Sequence, residues 1–404
     1  MTQMNKKNVE LYTPHDNQRL IHDSINNEPY KYYSLNIGRQ FGKSLLGINQ
    51  ALYWFFNVPN CKIGWVSPVY KQCKKVFGDI DSAFQNNQIV FKEKNKTDLL
   101  LKSHVNSTIQ FFSSEVYDNI RGETFDFLIM DEAAWQQEQA WTEVLRATVL
   151  VRGRKVLFLS TPKAKNWFYN LYCLDGINPQ YKSFTMTSYD NPLINPTEID
   201  DARLTLPDNV FRQEYLAEFI DGGAGVFIKV AMNTTPEKTE RYYGGIDLGR
   251  ADDYTVLTIL NDKGQMVYCE RWRHKTWQSI VNEIVPILHK YKAVTYIEVN
   301  SIGDVIYDQL KAIYRDIKPF YTSSKSKQDI IESLQVAVQN SVFTMLDIDW
   351  LRKEFDVFTY EYSQKTRSIK YSAPYGFHDD GVMSCAIAHA ALTELKNSGK
   401  YFMM

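Results

Sequence analysis

Three groups of residues in this sequence have the types and spacing for chemistry. The first is Gly38, Arg39, Gln40, Gly42, Lys43 and Ser44, within the run YYSLNIGRQFGKS from Tyr32 to Ser44. An apolar stretch stops at a glycine, and Gly-Lys-Ser closes the turn. That order reads as a phosphate-binding loop: backbone N–H groups wrap phosphate oxygens, Lys43 reaches the outer phosphates of ATP and Ser44 holds Mg²⁺. The usual form is G-x-x-x-x-G-K-[ST]. Here the count from Gly38 to Gly42 is one short, and Ile37 stands where the first glycine belongs. The second group is Asp131 and Glu132, at the end of the apolar FDFLIM. In a nucleotide hydrolase such a pair divides the work, Asp131 holding the Mg²⁺ hydration shell and Glu132 polarising the attacking water. Arg39 and Arg121 are candidates for stabilising charge on the transferred phosphoryl group, since a guanidinium is planar and always charged. Either is equally readable as an ordinary ion-pair partner.

The third group lies in the second half. Asp247 ends one apolar strand, Glu298 ends another, and Asp379-Asp380 opens a helix of small residues. Carboxylates gathered on one sheet edge repel unless a cation sits between them. Two Mg²⁺ ions roughly 4 Å apart, with Mn²⁺ able to substitute, activate water and stabilise the leaving oxygen of a phosphodiester. Asp380 is the favoured metal ligand of its pair, with Asp379 the second candidate and His378 a neighbour. Asp252, Asp253 and Asp304 read as helix caps or loop acids.

Definite elements must position these groups. A strand at Tyr33 to Ile37 delivers the first loop, and a helix from Leu45 to Phe56 turns its positive dipole end toward the anion. CKIGWVSPVY reads as a buried strand ending at Ser67-Pro68, followed by a helix through Phe84 and a strand-rich passage to Phe112. Strands FDFLIM and KVLFLS follow, the latter ending in Ser160 and Thr161. Upstream, Asp16 reads as a helix N-cap with Gln18 just after it. Strands alternating with helices imply an α/β fold with a mostly parallel sheet, whose ligands bind at the carboxyl edge. The glycines and polar residues of DGGAGVFIKVAMNTTPEKTER mark a boundary. The expected organisation is therefore a domain over 1–225, a linker over 226–241 and a second domain over 242–404. In that second domain YYGGID, TVLTIL and QMVYCERWR form a meander. A helix (Trp277 to Tyr291), a strand (Ala293 to Val299), a helix (Gly303 to Tyr314) and a last helix from Asp380 to about Leu395 follow.

A chain of 404 residues, 44% hydrophobic and 23% charged, fits two globular domains. No apolar stretch approaches the roughly 18 residues of a membrane span, and the start lacks the apolar core of a secretion signal, so a cytoplasmic protein without membrane partners is expected. The five cysteines contain no C-x-x-C pair, which argues against a disulfide framework or zinc site. A net charge of −1 excludes a globally basic nucleic-acid coat but not local patches, such as Lys71, Lys74 and Lys75 or Lys365, Arg367 and Lys370.

GRQFGKS, Gln18 in TPHDNQ, NIRGETFDFLIMDEAAW and FLSTPK, in this order, resemble the ATPase half of the large terminase subunits of tailed bacteriophages. The shortened glycine loop is that family's pattern. GGIDLGRADDYTV, YIEVNSIGD and FHDDGVMSCAIAHAAL resemble its RNase H-like nuclease half. The resemblance implies a P-loop ATPase domain of the ASCE type followed by an RNase H-like α/β nuclease. It further implies that Gln18 contacts adenine, Lys43 and Ser44 the phosphates and metal, that Asp131 and Glu132 activate hydrolysis, and that Ser160 and Thr161 couple it to movement. Implied partners are double-stranded DNA, the portal protein of the procapsid and a small terminase subunit. A homo-oligomeric ring on the portal is implied, with a monomeric state open to the free chain, in the host cytoplasm and outside the mature virion. The alternatives are a helicase or repair ATPase fused to a nuclease, against which stands the single ATPase core, and a structural packaging component that merely binds nucleotide.

Overall fold

The computed structural model describes residues 11–220, 225–249, 253–299, 303–363, 368–374 and 376–400. Asp252, Lys365 and Arg367, with the side chain of Asp304, lie outside the described residues. The chain forms two compact units, one of 1–201 with 209–221 and one of 202–208 with 222–404.

The first unit runs α1 (Asp16–Asn27), β1 (Tyr32–Ile37), α2 (Lys43–Asn57), β2 (Lys62–Ser67), α3 (Tyr70–Asn86), β3 (Glu93–Asn95), β4 (Leu100–Lys102), β5 (Thr108–Ser113), β6 (Phe127–Asp131), α4 (Arg146–Thr148), β7 (Lys155–Ser160), α5 (Trp167–Tyr172), β8 (Tyr181–Met186), α6 (Pro196–Thr205) and α7 (Asp208–Glu214). Its sheet is ordered β3-β4-β5-β2-β6-β7-β1-β8. From β5 to β8 the pairings are parallel, and β3 and β4 add an antiparallel edge. A parallel sheet needs cover on both faces, and two apolar cores supply it. Leu35, Trp65, Ile129 and Leu159 pack on one face, and Val66, Met130, Trp141 and Phe158 on the other. That is why β6 and β7 read as continuous apolar runs rather than as alternation, while β1 buries even its Ser34 and Asn36.

The second unit contains β9 (Ala231–Met232), β10 (Tyr242–Asp247), β11 (Thr255–Asn261), β12 (Met266–Trp272), α8 (Trp277–Tyr291), β13 (Val294–Glu298), α9 (Gly303–Ile313), β14 (Ile317–Phe320), α10 (Ser324–Gln339), β15 (Thr344–Met345), α11 (Asp349–Val357), β16 (Thr359–Ser363), β17 (Ser368–Ser372) and α12 (Asp380–Lys400). Its main sheet is ordered β12-β11-β10-β13-β14. The expected meander is present, with β10 antiparallel to β11 and parallel to β13. Helix α12 crosses β10 closely. A Cβ on Gly245 would stand 2.3 Å from Ser384 O and Ala388 N, and Ser384 Oγ donates to Gly245 O at 2.9 Å.

Two expectations are corrected here. The stretch expected as a linker packs into the second unit: the Val226 N–H donates to Phe358 O, the Phe227 ring lies tilted against Phe355 and Phe358, and β9 pairs with β15. Glycines flanked by buried Val226 and Phe227 therefore mark an edge of the second unit, not a spacer. The N-cap of α1 is His15, one residue before Asp16, and its N–H donates to Gln18 Oε1 at 3.2 Å.

Candidate active sites

In the first unit β1 and β6 flank β7, so three carboxyl ends converge: Ile37 into the glycine loop, Asp131, and Ser160 with Thr161. Gly38 passes beneath α7, its N–H donating to Met186 O at 2.8 Å, and a Cβ there would lie 2.6 Å from Tyr215 O. Gln40 and Gly42 have φ of 58° and 97°, which turn the chain back into α2. That helix begins at Lys43, two residues earlier than the sequence suggests, so Lys43 and Ser44 occupy its first turn, where N–H groups have no intrahelical acceptor and favour anions.

Residues far apart in sequence meet here. Lys43 Nζ lies 3.0 Å from Glu132 Oε1, and Ser44 Oγ donates to Asp131 Oδ1 at 3.2 Å. Burial, reinforced by neighbouring Glu132, pushes the Asp131 carboxyl up to about 7. Glu132 Oε2 is buried without a hydrogen-bond partner, and Glu132 has a left-handed φ of 52°. A buried carboxylate that resists ionisation, beside a hydroxyl and an orphaned acceptor, fits a site completed by a cation and water. Ser160 Oγ accepts from the Ala134 N–H at 3.1 Å, which ties β7 to the turn after Glu132, and Thr161 is buried beside it.

The remaining residues of this group are placed less directly. Gln18 is 3% exposed and donates through Nε2 to Phe41 O at 3.4 Å, so its amide engages the loop backbone itself. Arg39 pairs through Nε with Glu214 Oε2 at 2.7 Å, while 60% of its side chain remains exposed. Arg121, 57% exposed, pairs with Asp118 at 2.8 Å.

In the second unit Asp247 and Glu298 end adjacent parallel strands and are hydrogen-bonded to each other. Asp380, in the first turn of α12, accepts the Tyr254 N–H at 3.0 Å. Burial, then the bond to Glu298 and the neighbouring acids, holds Asp247 well above the usual carboxylate range. Burial likewise pushes Asp380 up to about 6, against the Tyr254 N–H and assisted by Asp253 and Asp379. Asp379 is set apart by its pair with Lys327 at 3.1 Å. A cleft of about 240 Å³ gathers Asp247, Asp253, Glu298, Lys327, Asp379 and Asp380. Acids this crowded and this hard to ionise fit divalent-cation binding. The ligand atoms of Asp253, His378 and Asp380 lie within 4.8 Å of one another, so Asp253 belongs to the site and not to a helix cap. In sequence it is marked only by its place six residues after Asp247.

In sequence Lys327 is marked only as one of a basic cluster with Lys311, Arg315, Lys318 and Lys325, and Glu354 is not marked at all. Glu354, buried and pushed up to about 8, accepts the Gly381 N–H at 2.7 Å and so braces the start of α12 behind Asp380. Only an amphipathic period marks their helices, and no local motif singles out either residue.

Residues 34–232 match the family described as "Terminase large subunit, T4likevirus-type, N-terminal". The large terminase subunit of Thermus virus P23-45 is 28% identical over 430 residues, covering 94% of this chain and 87% of that one. Among solved structures, the large terminase of a thermophilic bacteriophage aligns with 94% of this chain and 98% of its own at 14% identity, TM-score 0.55. The same protein in complex with ATP-gamma-S aligns over 94% of this chain and 99% of its own, at 14% identity and TM-score 0.52. These two share the two-part α/β fold.

Proposed function

We propose that the chain is a large terminase subunit of a tailed bacteriophage, its first unit an ATP-driven motor translocating double-stranded DNA into procapsids, and its second a metal-dependent endonuclease cutting the concatemer. The observation that carries this is the pair of separate acidic strand-end sites in one chain: Lys43, Ser44, Asp131 and Glu132 in one, and Asp247, Glu298 and Asp380 in the other.

In the motor, the Gly38–Gly42 backbone and the first turn of α2 take the phosphates of ATP, Lys43 moves from Glu132 to the outer phosphates, and Glu132 is released to polarise water. Ser44 and Asp131 hold Mg²⁺, which neutralises phosphate charge when bound. Arg39 acts in cis. Gln18 supports the loop on its adenine side, and Ser160 and Thr161 carry the change along β7. In the nuclease, Asp247, Glu298 and Asp380, with Asp379 as the secondary candidate, hold Mg²⁺ or Mn²⁺, which supplies activated water and charge neutralisation. His378 and Asp253 border them, and Lys327 offers the cleft's cation to a DNA phosphate. The motor is the unit of 1–201 with 209–221, and the nuclease the unit of 202–208 with 222–404.

The partners follow from the family: duplex DNA and the portal, with a small terminase subunit and a ring of identical chains on the portal. Among the described residues no helix is long and apolar enough to cross a membrane. The working place is the cytoplasm of the infected host. Crossed variants test the two-site assignment. Glu132→Gln is expected to bind ATP, lose about 10²–10⁴-fold in turnover and still cleave plasmid DNA, whereas Asp247→Asn is expected to stop cleavage and keep the ATPase. Loss of both activities in either variant contradicts independent sites.

A further inference from the structure

We propose that Arg271 is a positioning residue for the nuclease: it clamps the two backbone contacts that fix Asp380 at the start of α12. The role rests on the assignment above of Asp247, Glu298 and Asp380 as ligands of a divalent cation.

Strand register brings Arg271 near these acids. Arg271 pairs with Val256 and Val256 with Asp247 across β12, β11 and β10, so the three form one row. Opposed residues of antiparallel strands share a face, and the Arg271 side chain therefore leaves the sheet on the side of Asp247. Two strand spacings of about 4.8 Å separate the two backbones.

Arg271 touches the groups that hold Asp380. Its guanidinium carbon lies 4.1 Å from the centre of the Tyr254 ring and 4.3 Å from that of Trp350. Its Nη1 lies 3.7 Å from Glu354 Oε1, an oxygen buried without a hydrogen-bond partner. Tyr254 in turn donates its N–H to Asp380 Oδ2 at 3.0 Å, and Glu354 Oε2 accepts the N–H of the next residue, Gly381, at 2.7 Å. The contacts close a ring: from Arg271 through Tyr254 to Asp380, along one peptide bond to Gly381, and back through Glu354. Helix α11 presses on the same point. Trp350 and Glu354 lie one turn apart on it, and a Cβ on Gly381 would stand 2.7 Å from an atom of each.

Burial decides the part that Arg271 plays. Only 27% of its side chain is exposed, and 6% of that of Glu354. Turning the guanidinium toward a DNA phosphate would leave the Glu354 carboxylate buried and unpaired, which is costly. A planar guanidinium stacks on rings and keeps its charge for the carboxylate at once, which an ammonium does less well. Asp247 and Glu298 are carried by adjacent strands of the sheet, whereas Asp380 rides on a helix whose start must be held in place. Removing Arg271 takes away the support that Tyr254 and α11 share, and Asp380 drifts from the other two acids.

The test measures Mn²⁺ binding to the full chain, by the paramagnetic resonance of free Mn²⁺. The parent is compared with Arg271→Ala, Arg271→Lys, Glu354→Ala and the Arg271→Ala, Glu354→Ala double variant. Melting curves and duplex-DNA affinity in EDTA accompany each, and Asp247→Asn defines the binding that lies outside the nuclease cleft. Arg271→Ala is expected to weaken the Asp247-dependent site about 3- to 10-fold, below the roughly 10- to 100-fold typical when a direct partner of a metal ligand is lost. Arg271→Lys, which keeps the charge without the planar face, is expected to fall between and serves if the alanine variant melts early. The double variant is expected to bind Mn²⁺ nearly as well as Glu354→Ala, because both changes open the same ring; a general loss of stability would not produce that coupling. Metal-free DNA affinity is expected to stay within about twofold of the parent, since no phosphate contact is removed. A folded Arg271 variant that binds Mn²⁺ as tightly as the parent overturns the proposal, and one that loses metal-free DNA affinity with Mn²⁺ binding intact makes Arg271 a DNA contact instead. If the parent has no Mn²⁺ site that Asp247→Asn removes, the assignment of the metal ligands fails, and this role with it.

Discussion

At the residue scale, Ser44 and Asp131, 87 positions apart, meet because a glycine loop carries the chain from the end of β1 into the first turn of α2, beside the end of β6. Asp131, Glu132, Asp247 and Glu298 are legible as acids that close apolar runs, Lys43 from its glycine loop, and Asp380 from the acidic start of a small-residue helix. Lys327 and Glu354 are not: each sits on a helix, where a charged residue looks like any solvated face until tertiary packing turns it inward. The same blindness covers His22 on α1. Burial lowers its pKa, against the bond to Gln50 at 2.6 Å. A depressed folded-state pKa means the unfolded chain binds more protons, so this contribution to stability is complete above the ordinary histidine value of about 6.5 and is lost as pH falls toward the folded value. His22→Gln removes the titration. The melting-temperature advantage of the parent over this variant is expected to shrink between about pH 7.5 and about pH 5; a constant difference would show that His22 does not protonate on acid unfolding.

At the element scale, strands and helices named from apolar period were found within one to two residues at β1, β13 and the start of α12, because burial on both faces leaves little choice of conformation. Helix α2 began earlier than expected because Gly42 adopts a left-handed φ that turns the chain directly into it, which apolar spacing does not encode. Helices α10 and α11 and the pair β16–β17 have no place in the sequence reading, although α10 spans 16 residues and α11 is amphipathic. The contact of α12 on β10 was hinted at by small residues, and it makes a sharp demand at Gly245. Gly245→Ala forces backbone atoms of α12 outward and is expected to cost about 3 kcal/mol. Because Asp380 rides on α12, plasmid cleavage is expected to fall as well, while ATPase activity is unchanged. A variant that melts and cleaves like the parent would show that α12 can slide at no cost.

At the scale of the whole molecule, two units were legible and their edge was not, because Val226 and Phe227 follow glycines that look like a spacer yet fill the second unit. Assembly is a property the single chain does not display, and Arg121 is the residue through which it can be reached. Exposed and, among the described residues, paired with Asp118 three residues earlier, it is proposed as the group that reaches a neighbouring chain's phosphates in a ring. Mixing Arg121→Ala with Lys43→Ala subunits, each inactive alone, is expected to restore ATPase activity under conditions where rings assemble, since fingers of this kind contribute about 10³–10⁵ in rate. No recovery at any ratio, with assembly confirmed, would leave Arg121 as a local ion-pair partner.

If ATP hydrolysis in the first unit drives duplex DNA into a procapsid, the length of DNA protected from added nuclease, with this chain mounted on portal-bearing procapsids, reports it directly. Protection is expected to lengthen with time and ATP for the parent and for Asp247→Asn alike, and to be absent for Glu132→Gln. Protection without ATP, or undiminished in Glu132→Gln, would contradict it.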